Sequence, residues 1–236
     1  MTDVTIVARD EVGSTMDEAH ALAAAGAPHG TTVWARRQAA GRGSRGRMWS
    51  SDEGGLWLSV VARPRRDDAV DTMALRIGLG IAETIERLAP GIGQVGLKWP
   101  NDLFVGTRKI GGILCEARWS GERCQWVVVG VGLNVHNAVG GVGQAANLAA
   151  VSPDVGVVDD LVEPVARAIS LCATDAGPLD DLEMRAFSER DVLRGRRTLA
   201  PVAGTIAGIT THGALQVRTT DSSVTQVLAG LIVAPE

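Results

Sequence analysis

No stretch of this 236-residue sequence approaches the ~20 consecutive apolar residues that a membrane-spanning helix requires. The opening MTDVTIVARDE carries acids where a signal peptide would carry basic and then apolar residues. A cytoplasmic location with no membrane partner is therefore expected. Cysteine is scarce as well. Cys115, Cys124 and Cys172 form no CxxC pair and have no histidine at zinc-ligand spacing, so neither a disulfide framework nor a protein metal site is expected. Net positive charge is also missing. Twenty-three Lys and Arg against 27 Asp and Glu leave a net charge of −4, which argues against general nucleic-acid binding. Any basic cluster must be local, and one stands between Arg36 and Arg47.

Hydrophobic residues make up 45% of the chain, enough to bury a core, and the length suits one full domain of the usual 100–150 residues or so plus a small appendage. Alternation predicts a strand at residues 4–8. The segment STMDEAHALAAAG then places Met16, Ala19, Leu22 and Ala23 on one helical face, with Ser14 and Asp17 in a capping-box pattern and Gly26 as a stop. TTVWARRQ and GLWLSVVAR read as strands around a Gly/Arg-rich loop, and a helix is expected over 67–88. Short strands follow at VGLKW and DLFV. KIGGILCEARW and RCQWVVVGVGLNV form a hairpin turning at Ser120, Gly121 and Glu122. Helices are expected over 159–176 and 179–189. Beyond Gly195 the sequence breaks into short alternating segments between Gly, His-Gly and Asp-Ser turns, which suits a small β-barrel. The expected division is therefore a catalytic unit at 1–194 and a barrel at 195–236.

Glycine inside a strand weakens packing and often marks the close approach of a ligand or another chain segment. Gly111, Gly112, Gly130 and Gly132 thus mark either a binding surface or merely crowded packing. The loop Gly41-Arg42-Gly43-Ser44-Arg45-Gly46 has the spacing G-x-G-x-x-G, but it leads through RMWSSDEGG into a strand rather than opening a helix, so the dinucleotide reading fails on context. Its arginines carry more information. Arg42, Arg45 and Arg47 sit on a loop whose glycines let backbone N–H groups approach a ligand, which suits a polyanion; a solvated basic loop or an RNA contact are the alternatives. Trp49, just beyond, is either a stacking surface for a purine or a core residue.

Taken together, GRGSRGRMW (41–49), KWPND (98–102), KIGGILCE (109–116) and GVGLNV (130–135) resemble the motifs of biotin protein ligases, in that family's order and spacing. The resemblance reaches Ser14, Thr15 and Gln38 upstream and runs on through the C-terminal segment. It implies an α/β (α+β) catalytic domain with a mixed sheet, related to lipoate ligases and class II aminoacyl-tRNA synthetases, followed by a small β-barrel. It also implies a two-step reaction. Biotin and ATP form biotinyl-adenylate and pyrophosphate, with magnesium assisting, and biotin then passes to a lysine of the biotin carboxyl carrier domain of an acyl-CoA or pyruvate carboxylase.

By that match Arg42 and Lys109 are the essential cations, and Asp102, after Asn101 in a proline turn, orients or deprotonates the incoming lysine. Biotin would be held by Ser14, Thr15, Met16, Gln38, Arg42, Gly43, Ser44 and Lys109, with Gly111 and Gly112 leaving room for its chain. ATP would meet Arg42, Arg45, Arg47, Trp49, Lys109 and Asn134.

Ser14 lies so near the start that a repressor-type DNA-binding segment is not expected ahead of it, and no DNA partner is expected. Ser44 stands where many relatives carry a third loop arginine, which bears on retention of the reactive adenylate. The C-terminal LAGLIVAPE keeps the pattern of a last barrel strand without a basic ending. The exposed hairpin edge leaves room for a homodimer. The rival readings are a lipoate ligase, a non-transferring biotin sensor, and a structural or RNA-binding module.

Overall fold

The computed structural model describes residues 3–140, 145–174, 177–230 and 232–233. Seven strands form one mixed sheet: β1 (Thr5–Val12), β2 (Thr31–Gln38), β3 (Leu56–Ala62), β4 (Val95–Lys98), β5 (Asp102–Val105), β6 (Arg108–Ser120) and β7 (Arg123–Leu133). Their spatial order is β1-β2-β3-β7-β6-β5-β4. Only β1 and β2 run parallel, because the helix α1 (Thr15–Ala24) carries the chain back between them. All other neighbours in this sheet are antiparallel. The expected strands, the turn after Ser120 and the mixed α/β class are all present. β1 is longer than expected, running to Val12, because its pairing with β2 continues beyond the alternating residues.

Successive side chains of a strand point to opposite faces, and here the two faces are covered differently. Leu56, Leu58, Val60 and Ala62 of β3 and Val127, Val129, Val131 and Leu133 of β7 belong to the large core. That core is covered by α2 (Ala69–Leu88) and α3 (Val158–Cys172). The other face carries a smaller core of Met16, Ala19 and Ala23 from α1 against Val33, Val61 and Val128. On this second face the next positions along β7 are Gly130 and Gly132, opposite Ser59 and Trp57 of β3 and Leu114 and Gly112 of β6. The sheet is thus solid under α2 and α3 and partly stripped of side chains beside α1. That is where the cleft forms.

α4 (Asp181–Arg190) begins two residues later than a start at 179 would give, because Asp180 caps it. Its carboxylate accepts from the N–H groups of Leu182 and Glu183, and the Glu183 side chain accepts from the Asp180 N–H. Arg76 of α2 donates to Glu183 at 2.5 Å and ties α4 down. The expected end of the preceding helix at Ala176 lies outside the described residues.

The C-terminal segment forms a four-stranded antiparallel sheet of β8 (Arg197–Thr198), β9 (Gly204–Ile209), β10 (Leu215–Arg218) and β11 (Val224–Val227), in the order β11-β10-β9-β8. Among the described residues β8 and β11 do not pair, so this is an open sheet, supplemented by a bridge between Ala200 and Val233; part of LAGLIVAPE lies outside the described residues. Ile206, Ile209, Leu215, Val217 and Val227 share the large core. The indole N–H of Trp99 donates to the Gly213 carbonyl at 2.9 Å, which anchors the turn carrying Asn101 and Asp102 against this sheet. No helix among the described residues is long and apolar enough to cross a membrane.

Candidate active site

Beside α1 the stripped face of the sheet opens into a cavity of about 490 Å³. That volume falls within the usual range for a small-molecule site, ~300–1,000 Å³. It collects side chains from nearly every motif singled out in the sequence: Ser14, Thr15 and Met16 from the start of α1, Gln38 from the end of β2, Arg42, Gly43, Ser44, Arg47 and Trp49 from the loop, Asp102, Lys109 and Gly112 from β5 and β6, and Asn134 after β7. Two expected residues are absent from the lining. Arg45 is exposed at the loop tip in a left-handed conformation (φ 61°). Gly111 faces β7 instead, where a Cβ would come within 2.4 Å of Leu133 and 2.7 Å of the Gly132 carbonyl, so its small size serves strand packing.

One end of the cavity is a cluster of hydroxyl and amide groups. The Gln38 carbonyl accepts from both the backbone N–H and the hydroxyl of Thr15, at 2.8 and 2.9 Å, and the Thr15 hydroxyl also meets that of Ser59 at 2.8 Å. The Gln38 amide donates to Ser51. Gln38 is therefore mostly committed to holding Thr15, and Ser59 joins the cluster unannounced. A lone hydroxyl in the otherwise apolar strand LWLSVVA was the signal that could have revealed it.

Ser14 departs from the capping expectation. It has extended N-cap geometry (φ −153°, ψ 133°), yet its side chain makes no capping hydrogen bond, and its hydroxyl is buried without a protein partner. The competing demand is the cavity, toward which the start of α1 is presented.

The Gly/Arg loop folds back on itself. The N–H of Gly43 donates to the Arg47 carbonyl at 2.7 Å and that of Trp49 to the Gly41 carbonyl at 2.9 Å. Gly41 must be glycine for this, since a Cβ would approach Ser51 Oγ to 2.4 Å and the Trp49 carbonyl to 2.5 Å. The Ser44 hydroxyl accepts from Arg47 at 3.2 Å, so the serine fixes a neighbouring arginine even though it brings no charge. Beyond the loop, Trp49 lies over the glycine floor. A Cβ on Gly132 would meet its indole nitrogen at 2.6 Å, and one on Gly112 would lie 3.5 Å from its ring. Gly112 lines the cavity, with Trp49 in ordinary contact distance of the space it leaves. The indole N–H is buried and unpartnered.

Four cations line the cavity, Arg42, Arg47, Lys98 and Lys109, against the single acid Asp102. Lys98 belongs to KWPND but was not singled out by the sequence. Lys109 donates to Asp102 at 2.6 Å and stands 5.1 Å from the centre of a Trp49 ring. Arg42 donates to Asp17 at 2.6 Å and to Glu116 at 3.4 Å. The hydrogen bond that Arg42 donates to Asp17 opposes desolvation and raises the arginine's pKa, so the guanidinium stays charged. Arg42 Nε is buried and unpartnered. The Asn134 carbonyl oxygen accepts from Asn137, a second lining residue the sequence did not flag, at 3.1 Å. Cys115 lies outside this chemistry: burial pushes its thiol pKa up to about 12, as befits an inert core residue.

A family model described as the biotin/lipoate A/B protein ligase family matches residues 11–134, the span from the end of β1 through Asn134. The chain belongs to that family. Over 133 residues it is 38% identical to the bifunctional ligase/repressor BirA of Bacillus spizizenii, covering 56% of this chain and 40% of that protein. Over 133 residues it is 32% identical to the biotin–[acetyl-CoA-carboxylase] ligase of Paracoccus denitrificans, covering 56% of this chain and 50% of that protein. The chain thus matches half or less of the length of these relatives. Its fold is that of the Aquifex aeolicus biotin protein ligase solved in complex with biotin and ATP (TM-score 0.75, 24% identity, 96% of this chain and 97% of that one).

The family's order of motifs is therefore realised here as one cavity, and Ser14 offers a direct test of how it is built. Loss of a capping hydroxyl costs about 1 kcal/mol. Because the Ser14 hydroxyl caps nothing, Ser14→Ala is expected to change stability by less than about 0.5 kcal/mol in urea unfolding, with the apolar replacement tolerated. A loss of a full kilocalorie would restore the capping role.

Proposed function

We propose that this chain activates biotin with ATP, forming biotinyl-adenylate, and passes biotin to a lysine of a carrier domain. The observation that carries this reading is a convergence. Among the described residues, five buried side-chain polar atoms lack a protein partner, and three of them, Ser14 Oγ, Arg42 Nε and Trp49 Nε1, belong to residues lining the one cavity. Buried polar groups are normally satisfied, so a cavity bordered by three orphans is built for a polar ligand. The relatives named as biotin ligases supply the ligand's identity.

In the first step a carboxylate oxygen of biotin attacks the α-phosphorus of ATP, a P–O bond forms, and pyrophosphate leaves. Two anions must be brought together, and Arg42 and Lys109, with Lys98 and Arg47 nearby, offset their repulsion. Magnesium would be carried chiefly by the triphosphate itself. This fits the lining, which offers one carboxylate and the amides of Asn134 and Asn137, and it fits the ion's habit of using few protein ligands. Trp49 and Asn134 suit the nucleoside. In the second step the carrier lysine's amine attacks the mixed anhydride, AMP leaves, and the amine's extra proton must be lost. Asp102 holds Lys109 and is the lining acid nearest this role. For the carrier, a domain of an acyl-CoA or pyruvate carboxylase, the outer edge of β6 beyond Ile113, which is still bonded to Asn101, has no strand partner among the described residues and offers backbone groups; a second copy of the chain could use the same edge.

Lipoate is the alternative acid. The cluster of Ser14, Thr15, Gln38 and Ser59 favours biotin, because a ureido ring supplies one acceptor and two donors, whereas a dithiolane would leave the Ser14 hydroxyl unpaired. Biotin-dependent exchange of pyrophosphate into ATP is therefore expected, with lipoate at least about 100-fold poorer in kcat/KM; exchange with neither acid would refute the enzyme reading.

Asp102→Asn should slow transfer from preformed adenylate by roughly 100-fold or more, the usual scale for general-base loss, and transfer at the parent rate would remove Asp102 from that step. Ser44 leaves the loop tip one charge short beside the adenylate. Measurable labelling of bystander proteins is accordingly expected on incubation with biotin and ATP, and it should fall in Ser44→Arg. Labelling confined to the carrier in the parent enzyme would show that Arg42 and Arg47 retain the adenylate unaided.

A further inference from the structure

Behind the cavity wall a chain of polar contacts leads away from Arg42 to residues that no motif contains. His20 lies on α1, three residues after Asp17, with its side chain only 11% exposed. Its Nε2 meets Glu116 Oε2 at 3.1 Å, and the Trp126 indole N–H donates to its Nδ1 at 3.1 Å. An indole nitrogen can only donate, so Nδ1 must be the acceptor and carry no proton. The neutral imidazole then bears its hydrogen on Nε2 and donates it to Glu116. The same carboxylate oxygen accepts from Arg42, whose other terminal nitrogen is held by Asp17. Trp126 is itself braced from outside by Arg63, whose guanidinium lies 5.9 Å from the centre of a Trp126 ring and donates to the carbonyls of Ala23 and Ala27.

We propose that Trp126 and His20 are positioning residues for Arg42. Fixed by Trp126, a neutral His20 holds Glu116 in place, and Glu116 with Asp17 sets the guanidinium that receives the reacting carboxylate and phosphate. The proposal rests on the adenylation reading above and extends it to residues outside the cavity. Two of Arg42's three nitrogens are bound to acids while Nε stays unpartnered. The acids therefore fix the group's orientation without using all of its donors. A bidentate cation is only as well aimed as the groups behind it.

The relay has a built-in dependence on pH. A second proton on His20 must go to Nδ1, where it would face the indole N–H, donor against donor. The groups around the ring are Glu116 and Arg118 of β6, Trp126 of β7, Asp17 of α1 and Arg42 of the loop. Burial lowers the His20 pKa below 6.5; Glu116 opposes the shift, and Arg118 and Arg42 add to it. His20 is thus neutral and locked at neutral pH. The lock is lost as pH falls through that lowered value.

The test is biotin-dependent pyrophosphate exchange by the full chain between about pH 5.5 and 8.5, the range in which histidines titrate, for the parent, His20→Leu, His20→Gln and Trp126→Phe. His20→Leu should raise the biotin KM about fivefold to tenfold through misaligned Arg42. His20→Gln, which still donates to Glu116, should recover most of that loss. The parent's KM should climb on the acid side while that of His20→Gln stays flat. Trp126→Phe, which keeps the histidine and fills its own space, should move the acid limb to higher pH and stands in if the leucine variant misfolds. A merely structural His20 would reverse the order, with the apolar leucine outperforming glutamine. That result, or identical pH profiles in parent and variants, would overturn the relay while leaving the adenylation reading intact. Absence of exchange in the parent would overturn both.

Discussion

Gly112 and Gly132 face each other in register on β6 and β7, on the side of the sheet that α1 covers, and the whole site depends on neither having a side chain. With Gly130 beside them, they remove one layer of packing from two adjacent strands. Trp49 takes up part of that space above Gly132, and Met16 lies within 2.5 Å of where a Gly130 Cβ would stand. The ligand cavity is what remains between the two. Empty apolar space of this size is costly in a close-packed interior. The cleft persists because its rim is built from ordered polar groups: the Thr15, Gln38 and Ser59 cluster on one side and the ion-paired Arg42 and Lys109 on the other.

That division explains why the face beneath α2 and α3 reads so plainly in the sequence. The branched alternation of RCQWVVVGVGL builds one continuous core on one face and glycine on the other, so period-2 reasoning locates both the strand and its stripped side. The strands and main helices were legible for the same reason. Ser14 was legible as a helix start but not as an uncommitted hydroxyl, because N-cap propensity and ligand binding select the same residue type. Gly111 and Gly112 are adjacent and chemically identical, and only the pleat, which sends them to opposite faces, separates a packing role from a site role.

Other site residues were less legible because their roles are set by partners that the sequence does not name. Ser59 and Asn137 acquire meaning only through partners 44 residues or three residues away, and the link between His20 and Trp126 spans 106. Arg45 shows the opposite relation between sequence and structure. Its charge and its place in the motif suggested contact, yet a left-handed backbone at the loop tip points the chain back toward Arg47 and leaves Arg45 in solvent. A sequence motif identifies a loop, and the turn geometry decides which of its charges reach the ligand.

Electrostatics then accounts for how a chain of net charge −4 gathers positive charge in one cavity. Three of the four lining cations are held by polar partners, and Lys98 lies 5.6 Å from the centre of the Phe104 ring. Arg42 is paired to Asp17 and Glu116, Lys109 to Asp102, and Arg47 is held by Ser44. These partners keep the charges localised, desolvated on one side and fixed in direction before any ligand arrives. For the proposed adenylation, positive charge is therefore preorganised where negative charge would develop, which is the arrangement that lowers the cost of bringing carboxylate and triphosphate together. The same pairing limits ground-state attraction, since each anion must share its cation with a resident acid. An interaction that strengthens as the bonding phosphate gathers charge, and is moderated before it does, favours the transition state over the bound substrates. In the proposed adenylation, the acids around Arg42 and Lys109 would thus serve the reaction as much as the cations do.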